Sequence, residues 1–216
     1  MKQIMTQDIP LAELAPRLVK AMLPHVPFDG WNQKALVAAA SDTDIDSDVA
    51  AMALPDSEAM LIVWTALVND DMAQTMAAAG NLKVRDRIRM ALVTRLEHGD
   101  REVTRRALNL LAQPQHAALA ARLLWQAANV MWRAAGDTAT DYNHYTKRLI
   151  LSGLYSATLL HWTQDDSADF AATRAFIERR IDGVMRFEKA KAKLTGMTDK
   201  LPDPARFLGR LRYPAV

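Results

Sequence analysis

The chain has 216 residues, 50% of them hydrophobic and 24% charged, with a formal net charge of +2. That is one medium domain, or a small one fused to a larger, with enough apolar residues for a substantial core. There is no cysteine, which excludes disulfides, thiolate zinc sites and a cysteine nucleophile. The small net charge hides an asymmetry. Between Ala35 and Leu82 there is no Lys or Arg, whereas Lys83, Arg85, Arg87, Arg89, Arg95, Arg101, Arg105 and Arg106 follow in one basic stretch. The opening MKQIMTQDIPLAELAPR carries no apolar signal core, and no run reaches the length of a membrane span. A reducing, cytoplasmic location is therefore expected.

Rich in Ala, Leu, Met, Arg and Gln and poor in Gly, the sequence predicts an all-α protein. A first helix fits LAELAPRLVKAML, with Leu11, Leu14, Leu18 and Met22 on one stripe and Pro16 tolerated only in its first turns. PHVPFDG breaks it, and Asp29 is placed to cap a second helix in GWNQKALVAAA. The next stretch, SDTDIDSDV, alternates aspartates as an EF-hand loop does. Counted from Asp42, however, the sixth position is Ser47 rather than Gly and the twelfth is Ala53 rather than Glu. Its aspartates are read instead as the cap of a third helix, DVAAMAL, since anions are favoured at a helix N-terminus.

Pro55-Asp56-Ser57 ends that helix and starts EAMLIVWTALVNDDMAQTMAAA. LKVRDRIRMALVTRLE places Val84, Ile88, Leu92 and Leu96 on one side and mostly arginines on the other. Gly99-Asp100 is a turn with a cap before REVTRRALNLLA; Pro114 opens QHAALAARLLWQAANVMWRAA, and Gly136 closes it. DTATDYNHYTKRLILSGLYSATLLHW is apolar almost all round from Leu149 to Trp162, which predicts a buried central helix. TQDDSAD is a turn with caps, and FAATRAFIERRIDGVMRFEKAKAKL is a last long amphipathic helix. The tail pairs an Asp203 cap with Pro204, then sets Phe207, Leu208 and Leu211 among Arg206 and Arg210. Apolar anchors beside arginines suit an interfacial helix on anionic lipid, or equally a tail docked on its own domain. The arginines between Lys83 and Arg106 read either as a solvated face or as a membrane or partner attraction.

Enzyme signatures fail a direct search: there is no GxGxxG, P-loop lysine, GxSxG or HExxH. A di-iron bundle needs several inward glutamates with paired ExxH, and this chain has six glutamates in all. Asp141 with His144 is the nearest imitation, and a capping aspartate beside a surface histidine explains it. No catalytic residue, metal site or cofactor is expected, and the chain is not read as an enzyme.

The order of the first helices resembles the TetR family of transcription regulators, whose helix-turn-helix precedes an all-helical ligand-binding and dimerising domain. In that resemblance DIDSDVAAMAL takes the place of the recognition helix. A recognition helix needs Lys or Arg near phosphates, and this one carries aspartates and no base. DNA binding is therefore not expected. Two longer stretches are more specific. MLPHVPFDGW with ALVAAA, and MWRAAGDTATDYNHYTKRLILSGLYSATLLHWTQDDS followed by TRAFIERRIDGVM, resemble the auxiliary protein family of ubiquinone (coenzyme Q) biosynthesis, the ninth of the coenzyme Q set. The resemblance runs over about residues 10–195. It implies a TetR-like homodimer that binds no DNA, holds an isoprenoid or phospholipid, and delivers a polyprenylated quinone to the demethoxyubiquinone hydroxylase at a membrane. On that basis the protein is expected to be peripheral on the inner membrane, at its cytoplasmic face. The chain departs from the family at His144, where Trp is common, and at Ala139, where Ser is common.

With the resemblance, the chain divides into a degenerate helix-turn-helix domain at 8–56, a helical lipid-binding and dimerisation domain at 57–195, and an amphipathic tail at 196–216. Trp125, Met131, Trp132, Leu151, Leu154, Tyr155, Thr158, Leu159, Trp162 and Phe176 recur at helical spacing. They read as filled core or as the lining of an apolar cavity, and the resemblance favours the cavity. Asp137, Asp141, Asn143, His144, Tyr145, Lys147 and Arg148 read as a capped helix start or as a partner-facing corner. Arg206, Phe207, Leu208, Arg210 and Leu211 are the candidate membrane contacts. The alternative function is a TetR-like regulator that responds to an apolar effector.

Overall fold

The structure, a computed structural model, describes residues 10–80, 82–137 and 142–198. It divides into two units, Met1–Ile177 and Glu178–Val216. The described residues contain helices and no strand: α1 (Leu11–Met22), α2 (Val26–Asp29), α3 (Gln33–Asp42), α4 (Ser47–Ala53), α5 (Ser57–Ala77), α6 (Val84–Glu97), α7 (Arg101–Leu111), α8 (Ala117–Ala134), α9 (Tyr142–Trp162) and α10 (Ala171–Thr198). No single described helix is long and apolar enough to cross a membrane.

Side-chain caps set the starts of α3, α4, α5 and α7. Asp46 and Asp100 each accept two backbone N–H groups at the start of α4 and α7, and Asp56 accepts that of Ala59 at the start of α5. α3 differs from expectation. Asn32, not Asp29, caps it, accepting from the N–H groups of Lys34 and Ala35. Asp29 closes the short helix α2 inside PHVPFDG, a stretch expected only to break α1, and pairs with Lys34. Within SDTDIDSDV the aspartates have separate tasks. Asp42 takes a 2.7 Å hydrogen bond from His25, Asp44 turns the chain with φ of 53°, and Asp46 caps α4. Gly136 ends α8 in a Schellman motif: at φ of 87° its N–H bonds Arg133 O, and the Asp137 N–H bonds Trp132 O.

α1 packs on α3, α4 and α5, and Leu14, Leu18 and Met22 of its predicted stripe are fully buried. Their core continues without a break through Trp31, Leu36, Leu54 and Leu61 to Val103 of α7 and Leu119 and Leu123 of α8. The helix-turn-helix therefore shares its core with the helices that follow. Trp31 fixes this junction: its indole N–H donates to Val103 O at 3.3 Å and its ring lies 5.2 Å from that of Trp64. α5 turns away from α4 by 73° after Pro55 and packs along α6 and α8, and α8 packs along α9.

Two expectations about faces are corrected. On α6, Ile88, Leu92 and Leu96 are buried but Val84 is 54% exposed, while Arg95 lies inside at 6%. α9 is not buried all round. Leu149 and Leu160 are 68% and 56% exposed, so the helix lies at the surface with one apolar face open. Near-uniform hydrophobicity had hidden which face turns inward. The basic stretch also does structural work: Arg101, Arg105 and Arg106 donate to the carbonyls of Asp165, Thr163 and Pro27.

Candidate functional site

Helices α5 to α9 line a half-open cavity of about 240 Å³. Its wall is mainly apolar, with Trp64 from α5, Leu108 from α7, Leu123 from α8, and Leu159 and Trp162 from α9. One group of polar residues interrupts it. Arg95 of α6 and Tyr155 of α9 line the space together with the hydroxyl residues Thr65, Thr104 and Ser156. The Arg95 Nε–H donates to Tyr155 Oη at 2.7 Å, and an Nη–H donates to Asn69 Oδ1 on α5. Three helices thus meet at one buried guanidinium. An apolar space with a few convergent polar groups is the general form of a small-molecule site.

Of the ten residues expected to line a cavity, Tyr155, Leu159 and Trp162 do so. Met131, Leu151, Leu154 and Thr158 are buried elsewhere in the packing, and Thr158 donates to Leu154 O at 2.8 Å. Trp125 stacks on Tyr145 with ring centroids 6.1 Å apart, and Phe176 stacks on His161 at 4.6 Å. Trp132 donates its indole N–H to Lys147 O at 3.0 Å. Sequence reading missed Trp64, Thr65, Arg95, Leu108 and Leu123. A signal for Arg95 existed: it stands three residues after Leu92 and seven after Ile88, on the buried stripe of α6.

The corner expected to face a partner is split. Tyr145 is 62% exposed and His144 is half-buried with its ring 5.1 Å from that of Tyr145. Arg148 is inside the protein at 1% exposure, held by Asp137 at 3.1 Å, by Asn129 and by His144 O. Lys147 reaches the other Asp137 oxygen at 2.8 Å. The basic residues thus serve the helix start, because one buried carboxylate gathers both. Asp141, the side chain of Asn143, and Arg206, Phe207, Leu208, Arg210 and Leu211 lie outside the described residues.

The family model described as COQ9 matches residues 117–188, which is α8, α9 and part of α10. The chain is similar to COQ9 proteins. The "Ubiquinone biosynthesis protein COQ9, mitochondrial" of Rattus norvegicus is 30% identical over 190 residues, covering 80% of this chain and 59% of that protein. The protein of the same name from Homo sapiens is 29% identical, covering 80% and 58%, and that from Drosophila melanogaster 27%, covering 84% and 58%. The chain therefore spans about three fifths of the length of these relatives. A TetR transcriptional regulator from Nitrosomonas europaea ATCC 19718 matches in structure with a TM-score of 0.63 at 17% identity, covering 79% of this chain and 97% of that one. The fold is accordingly TetR-like and all-α.

The names of the COQ9 relatives place them in mitochondria, and this overturns the expected cytoplasmic location. The expectation rested on missing cysteines and a missing signal core. Neither feature distinguishes one reducing compartment from another.

Proposed function

We propose that this chain is a non-enzymatic lipid-binding accessory protein of ubiquinone biosynthesis. In this reading it holds a polyprenylated quinone intermediate between α5 and α9 and presents it to the demethoxyubiquinone hydroxylase at a membrane. The observation that carries the reading is the apolar cavity with a buried polar end, in a chain similar to ubiquinone biosynthesis proteins. A polyprenylated quinone matches such a space in kind, since its tail is apolar and its head bears oxygen atoms. The exposed apolar residues Tyr145, Leu149 and Leu160 along α9 suit a second copy of the chain or the hydroxylase, and the proposed assembly is a homodimer. Organic extraction of the purified protein followed by mass spectrometry tests the reading. An isoprenoid or phospholipid in stoichiometric amount is expected; a lipid-free protein that ignores liposomes counts against it.

The TetR-like fold favours a second reading, a regulator responding to an apolar effector. Charge opposes it. α4 carries no Lys or Arg, and Asp44, Asp46 and Asp48 crowd its start, where a polyanion would have to approach. Gel-shift assays on the promoter region of its own gene discriminate the two. Specific binding lost on substitutions in residues 42–52 would establish the regulator.

A further inference from the structure

At the polar end of the cavity Arg95 and Tyr155 present donors beside the hydroxyls of Thr65, Thr104 and Ser156. The Arg95 guanidinium can only donate, and its Nε–H already uses the Tyr155 oxygen as an acceptor. The phenol hydrogen therefore points away from Arg95 and is left to be donated. Among the described residues no carboxylate pairs with Arg95, although the residue is 6% exposed. Its partners are a neutral amide and a neutral phenol. A buried cation held by neutral groups alone is poorly compensated, and it attracts an accepting oxygen strongly in surroundings of low dielectric. Arg95 and Tyr155 both line the cavity, whose remaining wall is largely apolar.

We infer that Arg95 and Tyr155 form the headgroup end of the cavity, and that its lipid carries an oxygen-acceptor head, either a quinone carbonyl or a carboxylate. The inference rests on reading the cavity as a lipid site. A pure hydrocarbon offers no acceptor to the phenol hydrogen and no charge complement to the guanidinium, and an ammonium head is repelled by Arg95. The head is thus selected by donors that the three helices hold in place before the ligand arrives. Asn69 and Tyr155 keep the guanidinium from turning away.

Isothermal titration of the delipidated full chain with 2-decyl-1,4-benzoquinone, dodecanoate and decylbenzene tests this. At least one oxygen-headed probe is expected to bind about tenfold or more tightly than decylbenzene, the scale of a hydrogen bond to a charged group. Arg95→Leu should abolish that preference, and Tyr155→Phe should weaken it. Preference for the quinone supports both the headgroup inference and the proposed function. Preference for dodecanoate alone supports the inference and displaces the quinone. Equal binding of all three probes, or a preference that survives Arg95→Leu, overturns the inference and leaves a lipid cavity standing. Failure of every probe to bind overturns both. Should Arg95→Leu not fold, Tyr155→Phe decides, because it keeps the ring and its packing; an unchanged preference then overturns the inference.

Discussion

Arg148 and Asp137 form an ion pair at 3.1 Å with side chains 2% and 6% exposed. The pair joins the end of α8 to the second turn of α9, and Asn129 and His144 O take further guanidinium hydrogens. Removing one partner of a buried pair leaves the other charge uncompensated. Asp137→Ala is therefore expected to destabilise the fold by about 3–5 kcal/mol. Lys147 shares the same carboxylate from a 39% exposed position, and Lys147→Ala should cost less than about 1 kcal/mol. Chemical denaturation of the two variants checks the contrast; equal losses would show that burial does not set the strength of these pairs.

The same residues show what was legible in the sequence. Gly136 as a helix end and Asp46, Asp56 and Asp100 as caps follow from local rules, because a cap acts on backbone groups two or three residues away. The TetR-like order of helices was readable for the same reason. Which arginine is buried was not, since Arg95 and Arg148 are placed by partners 26, 60 and 11 residues distant in the chain. The cavity escaped likewise. α9 supplies only one of its walls, and Trp64, Leu108 and Leu123 reach it from α5, α7 and α8. A stripe of apolar residues on one helix does not say whether the neighbouring helices fill the space beside it.

Asp165 gives a pH dependence of known sign. Its carboxylate accepts from the Ser167 hydroxyl at 2.6 Å, from the Thr173 hydroxyl at 2.5 Å, and from the backbone N–H groups of both residues. The Ser167 hydroxyl first, then that of Thr173, hold it well below the usual carboxylate range. A depressed value in the folded state means stability that is fully present above about pH 4, the ordinary aspartate range, and lost as pH falls below it. Asp165→Asn should accordingly melt below the unsubstituted protein at neutral pH. The gap should narrow as the pH is lowered through the acid range. Thermal melts at a series of pH values read this directly, and a gap independent of pH would refute it.

Asn32 is the cap that sequence reading assigned elsewhere, and it is separable from Asp29. Asn32→Ala removes the acceptor of the Lys34 and Ala35 N–H groups and should cost about 1 kcal/mol. Asp29→Ala removes only its pairing with the 80% exposed Lys34, so a few tenths of a kcal/mol are expected. Denaturant midpoints of the two variants test the reassignment. A larger loss for Asp29→Ala would restore it as the cap.

Filling the cavity separates occupancy from stability. Ala107 lines it from α7 and is 1% exposed. Ala107 also belongs to the packed core, and a phenylalanine there extends from the cavity wall toward the space that a ligand tail would occupy. Overpacking a filled core costs typically about 1–3 kcal/mol, whereas filling a real cavity costs less or stabilises. Ala107→Phe is therefore expected to keep its helical circular dichroism and its melting temperature within a few degrees. At the same time the lipid recovered by extraction should fall severalfold. A folded variant that carries as much lipid as the parent would place the ligand elsewhere, and a strong loss of stability would mean that this space is not free for a side chain.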